Sequence, residues 1–400
     1  MSPAYLKLMR YDVVVVGAGA IGNNVAYLLA KKGFKVAVIE RKERIGYPLK
    51  CAGLVSERVL ELANAKETVQ NELYGAFIHS PNGNTLDIES ETVKAFAIDR
   101  EKLDNVLAKR AMDCNADYFL KTEFVGIDRK NDFLEIKTKG EQKVFHCKLI
   151  IGADGARSKV RKILDLPPPS EILACVGAEV EGVSLDPRKV HIFLGKDIAP
   201  GFFAWIIPTS IDGSKARIGL CLKIPPPKPL KTYFDFLFAH PVSGKMLKGC
   251  KITNFIRGLI PIGLLERSTA DNAMIVGDAS SQVKPLTGGG LYFGLLSSRH
   301  CSAVASLALE REDFSDSFLA RYHKMWRRDL QREISIGLKI RKKFLKMSDE
   351  DIDRYLSHLN DEKILSVIEK HGDIDYPSKL IFPIIRHLPK LLPDVLSLLF

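Results

Sequence analysis

Gly17, Gly19 and Gly22 stand at G-x-G-x-x-G spacing inside YDVVVVGAGAIG, residues 11–22, and Glu40 follows eighteen residues after Gly22. Glycines at this spacing suit a backbone that must turn tightly and lie close to phosphate oxygens. A carboxylate about 20 residues further on suits a ribose hydroxyl. Such chemistry needs a strand, a turn and a helix N-terminus in that order, and the flanking residues supply them. Val13 to Val16 form a continuous apolar run, which reads as a strand buried on both faces. Residues 23–32 read as a helix, whose first N–H groups and partial positive charge would face an anion. Residues 35–39, KVAVI, read as a second buried strand ending at Glu40. The segment therefore predicts a dinucleotide site. The acid at position 40 argues against a 2′-phosphate, and FAD and NAD both remain open.

Other residues read as partners to that site. The loop after Glu40 carries Gly46, Pro48 and Gly53 and leaves the end of the second strand, so it should cross the cleft. In it, Cys51, Ala52 and Gly53 are small enough for backbone to lie against a flat ring, although Cys51 also reads as a small buried hydrophobe. Ser56 reads as the N-cap of a helix from Glu57, and Asp99 as the cap of a helix through Arg110. Arg100 gains nothing from a helix N-terminus, so it is either held for a ligand anion or carbonyl or is a solvated surface cation. Asp154, in the turn 152–158, reads as a further helix cap. Asp278 ends another apolar strand, 273–276. Thr287 and Gly288 to Gly290 open a helix rich in small residues. Two anion-facing helix starts and a strand-end aspartate can hold both ends of one long cofactor. Asp278 would take the ribityl or pyrophosphate end, and residues 288–290 would face the ring.

The chain has 400 residues, is 46% hydrophobic and carries a formal charge of +11. This supports two domains or one elaborated domain. The charge suits a solvated basic surface, an anionic membrane or an anionic substrate. No zinc spacing or RNP-type motif is present, so nucleic acid is not expected as a partner. Seven cysteines are scattered without a C-x-x-C, which reads as reduced and intracellular, here cytoplasmic. No apolar stretch reaches the ~18 residues of a spanning helix, so any membrane contact would be peripheral.

Residues 1–10 read as a frayed extension, and 118–147 as an antiparallel meander. LPPP at 166–169 marks a boundary. Residues 172–222 are strand-rich, with Phe202, Phe203 and Trp205 crowding one short strand in PGFFAWIIP. Residues 314–345 read as a long helix dense in Arg and Lys. The expected organisation is α/β: a Rossmann-like dinucleotide domain from 10–170 and 258–310, an inserted antiparallel-sheet substrate domain at 171–257, and a helical region at 311–400.

GAGAIG, Glu40, KCAG, Arg100, GADGARS and GDASSQVKPLTGGG together resemble the FAD-binding family that includes the aromatic hydroxylases. Within it the chain is similar to the geranylgeranyl reductases, above all those acting on archaeal ether lipids. Residues 50–56 resemble that family's cysteine loop. Residues 200–208 resemble its P-x-x-Y-x-W-x-F-P motif, with Phe203 for Tyr and Ile207 for Phe. The resemblance implies FAD, with Gly17, Gly19, Gly22, Glu40 and Arg41 at its ADP half and main chain near Val125 under the adenine. It implies Cys51, Ala52, Gly53 and Arg100 along the cofactor, and Asp278 and Gly288, Gly289, Gly290 and Leu291 at the riboflavin half. Phe203, Trp205 and Pro208 would line a prenyl pocket.

An isolated alkene accepts hydride poorly, so orientation, a dry cavity and a proton source must come from the protein. Cys51 is the candidate proton relay or else shapes the pocket, and a redox link between Cys51 and Cys301 is a further expectation. No second dinucleotide motif is seen, so electrons should come from an external donor, NAD(P)H, ferredoxin or another carrier. The C-terminal region reads as a helical cap or as a basic, apolar surface resting on lipid headgroups at the inner face of the cell membrane.

Overall fold

The computed structural model describes residues 7–140, 143–380 and 383. A six-stranded sheet forms one half, in the order Thr269–Ala270, Ala273–Ile275, Leu149–Gly152, Val13–Val16, Val36–Ile39, Asp117–Phe119. All its pairings are parallel except the 269–275 hairpin. Strands covered on both faces have no polar side, and this is why they read as unbroken apolar runs. On one face pack the helices Ala20–Ala30, Leu291–Arg311 and Asp316–Phe344, through Val25, Leu29, Phe293, Tyr322 and Trp326. The small residues of Leu291–Arg311 permit close approach: Ser298 Oγ accepts a 2.7 Å bond from Asn24 Nδ2, and a Cβ on Gly294 would stand 2.6 Å from Ile21 Cδ1.

On the other face lies a four-stranded sheet: Lys7–Arg10, Lys143–Cys147, Leu134–Lys139, Glu123–Arg129. Its last three strands form the expected meander. Residues 7–10 correct the reading of a frayed extension, because they pair in parallel with 143–146. That partner lies over a hundred residues away and leaves no local trace.

The second half is a seven-stranded sheet in the order Lys251–Ile262, Glu171–Glu181, Lys215–Lys223, Ala204–Pro208, Lys189–Phe193, Gly75–His79, Thr85–Ile88. Its last two strands come from the hairpin around residues 80–84, far earlier in the chain. Alternation separates its faces. Ala178, Ile206, Ile218 and Leu220 point to a helix, Leu230–Ala239, while Trp205, Ile207 and Cys221 point towards the first half. The strand bearing Trp205 starts at Ala204, so Phe202 and Phe203 sit in the turn before it.

Cysteine usage departs from expectation. Cys175 and Cys221 stand directly opposite on adjacent antiparallel strands, with Cα atoms 4.1 Å apart, and form a disulfide. Cross-strand register is not legible from spacing, so a reading of all seven as reduced missed it. Cys51 and Cys301 are both free thiols. Cys301 lies in the helix-covered core and Cys51 in a cavity wall, so the link expected between them is absent.

The C-terminal region continues with Asp349–Leu359 and Glu362–His371, capped by Ser348 and Asp361. One of the long helix's cations is not a surface charge: Arg341 is 3% exposed and forms a two-pronged pair with Glu171, at 2.8 and 2.7 Å. Among the described residues no helix is long and apolar enough to cross a membrane. Apart from Leu380 and Pro383, the apolar tail 380–400 lies outside the described residues.

Candidate functional site

A cavity of about 1290 Å³ runs between the carboxyl ends of the six-stranded sheet and the inner face of the seven-stranded one. Strand ends at Val16, Ile39 and Val276 deliver their following turns to it, the usual position for a ligand in such sheets.

One end is built for phosphate. Gly17 has φ +108°, and a Cβ there would lie 2.5 Å from Ala153 O. A Cβ on Gly22 would lie 2.0 Å from Gly17 O. Gly19 is different: nothing lies within 4 Å of its Cβ position, so its backbone faces open space. It caps the helix Ala20–Ala30, which has no side-chain cap and no acid in its first turn, leaving N–H groups to an anion. Glu40 Oε2 accepts from Ala18 N and Oε1 from Lys42 N, both at 3.0 Å, so the carboxylate is fixed at the strand end.

Arg100 lies midway, from the start of the helix Arg100–Asp113. Its Nη2 donates to Asp104 at 3.0 Å, while Nε and Nη1 are buried without a partner. Burial disfavours its charge, but Asp104 and Cys51 beside it raise its pKa on balance. The surface reading of Arg100 is thereby excluded, and two donors remain for a ligand anion. Cys51 Sγ accepts from Gly53 N at 3.4 Å in the same wall. Asp154 does more than cap its helix. Its Oδ2 accepts from Lys159 N and Val160 N, while buried Oδ1 has no partner.

At the far end, Asp278 is half-buried and Gly290 packs onto it, with a Cβ position 2.9 Å from Asp278 Oδ1. The turn 288–290 leads into Leu291–Arg311, again without a side-chain cap. Gly288 rests on Ile260 and Phe202. Beyond it, the indole of Trp205 lies over a glycine floor: Gly219, its cross-strand partner, has a Cβ position 2.7 Å from Trp205 Cζ2, and Gly177 pairs with Gly219. Trp205, Phe203, Ile207, Val190 and Ile192 form an apolar wall. A strap from the C-terminal region lines this end. Lys284 Nζ donates to Ile374 O and Asp375 Oδ1 at 2.7 and 2.9 Å, and Arg58 grips Asp373.

The structure thus brings Gly17, Gly19, Glu40, Arg41, Cys51, Ala52, Gly53, Arg100, Asp278, Gly288, Gly289, Gly290, Leu291, Phe203 and Trp205 to one cavity. Gly22 lies behind it as packing. The chain near Val125 reaches the wall through Glu123 and Phe124, while the Val125 side chain itself turns to solvent at a bulge. Pro208 does not line the cavity, ending its strand one residue past Ile207. Lys284, Asp375 and the free oxygen of Asp154 were missed. The sequence signal for Lys284 was its place in VKPLTGGG.

Burial pushes the Asp278 carboxyl up to about 6, with Lys50 and Arg100 opposing. A raised carboxyl contributes stability that is present below its unfolded value near 3.8 and lost as pH rises through about 6. In FAD-free protein, Asp278→Asn should therefore match wild type near pH 4 and exceed it by up to about 3 kcal/mol at pH 7. Urea unfolding at both pH values reads this, and a difference independent of pH would contradict it.

These features fit FAD: unmet N–H donors at Arg100 and the helix start at Gly19 for the pyrophosphate, an acid at the ribose, and a thin loop, an apolar wall and a second helix start at Gly290 for the ring. The FAD-binding-domain family profile matches residues 10–228. The chain is 32% identical over 351 residues to a digeranylgeranylglycerophospholipid reductase of Methanocaldococcus jannaschii, covering 86% of this chain and 89% of that one. It is 35% identical over 382 residues to an uncharacterized protein of the same organism, covering 94% and 95%. The crystal structure of a geranylgeranyl bacteriochlorophyll reductase-like protein from Thermoplasma acidophilum superposes with a TM-score of 0.85 at 24% identity, covering 98% of this chain and all of that one, and shows the same fold. Fold and site together define an FAD-dependent oxidoreductase. The chain belongs to the digeranylgeranylglycerophospholipid reductase family of FAD-binding proteins.

Proposed function

We propose that this protein saturates carbon–carbon double bonds in the geranylgeranyl chains of glycerol ether phospholipids. The observation that carries the reading is one continuous cavity, with phosphate-binding backbone at one end and the Trp205 wall at the other. When bound, reduced FAD would supply the hydride. The protein supplies the rest. Phe203, Trp205 and Ile192 hold an alkene in a wall without paired polar groups, and the glycine floor at 177 and 219 lets the indole lie flat enough to leave room for the chain. The strap at 373–375, held by Lys284 and Arg58, lines the apolar end and limits its exposure. A proton must reach the second alkene carbon, and the Cys51 Sγ–H, beside Arg100, is the donor. Incubation of native lipid with anaerobically reduced enzyme should add two hydrogens per double bond by mass spectrometry. Addition of an oxygen atom in air with NAD(P)H would instead identify a monooxygenase.

On this reading the electrons come from an external NAD(P)H, ferredoxin or other carrier, and a lipid substrate favours a peripheral position on the inner membrane face. Arg321, Lys324, Arg328 and Arg332 of the long helix supply the cations for that contact, and Arg341 does not. Vesicles rich in anionic lipid should float the protein and neutral vesicles should not; equal, negligible flotation with both would remove the membrane assignment.

A further inference from the structure

Three cysteines meet in the cavity: Cys51 as a free thiol, and Cys175 and Cys221 as the disulfide. The disulfide lies in one row across the sheet, Phe203, Cys221, Cys175, Gly258. Cys221 N donates to Phe203 O at 3.3 Å, and Cys175 is in register with both Cys221 and Gly258. Both loops that would face a bound flavin ring close on this row. A Cβ on Gly258 would stand 2.6 Å from Lys50 O and 3.9 Å from Cys175 Cβ, so the chain enters the Cys51 turn directly over the disulfide. From the other side, Gly288 rests on Ile260, which follows Gly258 by two residues on the same strand. A purely structural staple has no reason to sit there. The two strands are already paired from Leu173↔Lys223 to Glu181↔Lys215, and their other face is covered by the helix Leu230–Ala239.

We propose that Cys175–Cys221 is a redox-active disulfide that exchanges two electrons with the flavin, giving the enzyme a second two-electron store. In the reducing direction the S–S bond breaks and two S–H bonds form. Both electrons and one proton come from the anionic reduced flavin, the second proton comes from solvent, and the flavin is left oxidised. A protein charged in both places, by two two-electron deliveries from its donor, carries enough electrons for two alkene reductions. The inference rests on FAD binding and not on the lipid, so failure to reduce a prenyl chain would leave it standing.

Anaerobic dithionite titration of the FAD-loaded full chain tests it. Complete bleaching of the flavin should take four electron equivalents, and two in Cys175→Ala/Cys221→Ala. Alkylation and mass spectrometry of the same wild-type samples should find Cys175 and Cys221 blocked before titration and both labelled after it. FAD-stripped protein given the same dithionite should keep them blocked. A two-electron endpoint in wild type overturns the proposal. So does a pair already labelled in the oxidised enzyme, a four-electron endpoint with labelling unchanged at these positions, or equal labelling without FAD. The wild-type measurements stand even if the double variant does not fold.

Discussion

Gly22→Ala should purify without colour. The new methyl would need to occupy a point 2.0 Å from Gly17 O, and neither side can yield. Gly17 N is bonded to Ile39 O at 2.8 Å, and the turn is wedged against the backbone at Ala153. The helix Ala20–Ala30 is pinned through Asn23 to Asp104 O and through Asn24 to Ser298, with Val25, Ala26 and Leu29 fully buried. Overpacking of this kind costs about 1–3 kcal/mol or more. The helix start and the glycine turn cannot then both meet the pyrophosphate, so FAD affinity should fall by about a hundredfold or more. Gly19→Ala separates packing from recognition. Its Cβ meets no protein atom within 4 Å, so the melting temperature should hold while FAD binding still falls, because the methyl fills the space the phosphates need. Calorimetric titration of FAD into both apoproteins, with thermal unfolding alongside, reads the two effects. Gly22→Ala with wild-type FAD content would mean that the turn does not hold the cofactor.

Arg100→Leu is the second large effect, and it acts on folding as well as on the flavin. Asp104 is buried, and Arg100 is its only side-chain ion-pair partner among the described residues. Removing the cation leaves a buried carboxylate uncompensated, at a cost of about 3–5 kcal/mol. Replacing both partners, Arg100→Leu/Asp104→Leu, removes the buried charge and should recover much of that stability. It should not recover FAD binding, because the unpaired Nε and Nη1 donors are gone. Denaturant unfolding of the two variants, set against FAD titration, distinguishes the roles. A double variant that regains full FAD affinity would show that Arg100 serves the fold alone.

The sequence made legible what is locally encoded. Val13–Val16, the glycine turn, the helix after it and the strand ending at Glu40 lie within about thirty residues, and their order follows from apolar runs and glycine spacing. Asp99 caps its helix as read, accepting from Lys102 N. Ser56 precedes its helix as read, but its hydroxyl is buried without a partner. What stayed hidden is set by pairing at a distance. The strand 7–10 depends on 143–146, the hairpin at 75–88 joins a sheet built mostly from residues after 170, and Cys175 finds Cys221 only through the register of two strands. Arg341 looked like one more cation on a basic helix, and only the position of Glu171 makes it a buried one. Lys284 likewise has no local hint of Asp375, ninety-one residues on.

The strap at 373–375 has a consequence for biogenesis. Arg58 and Lys284 clasp it from two earlier parts of the chain, and the hydroxyls of Tyr292 and Tyr376 meet beside it at 2.9 Å. The chamber therefore gains its last wall only after the ribosome has passed residue 376. A nascent polypeptide with both glycine turns already folded still presents an open trough, and FAD can settle into it before the door is fitted. Asp375 is 1% exposed and pairs with Lys284 at 2.9 Å, so lifting this wall away means separating a buried ion pair.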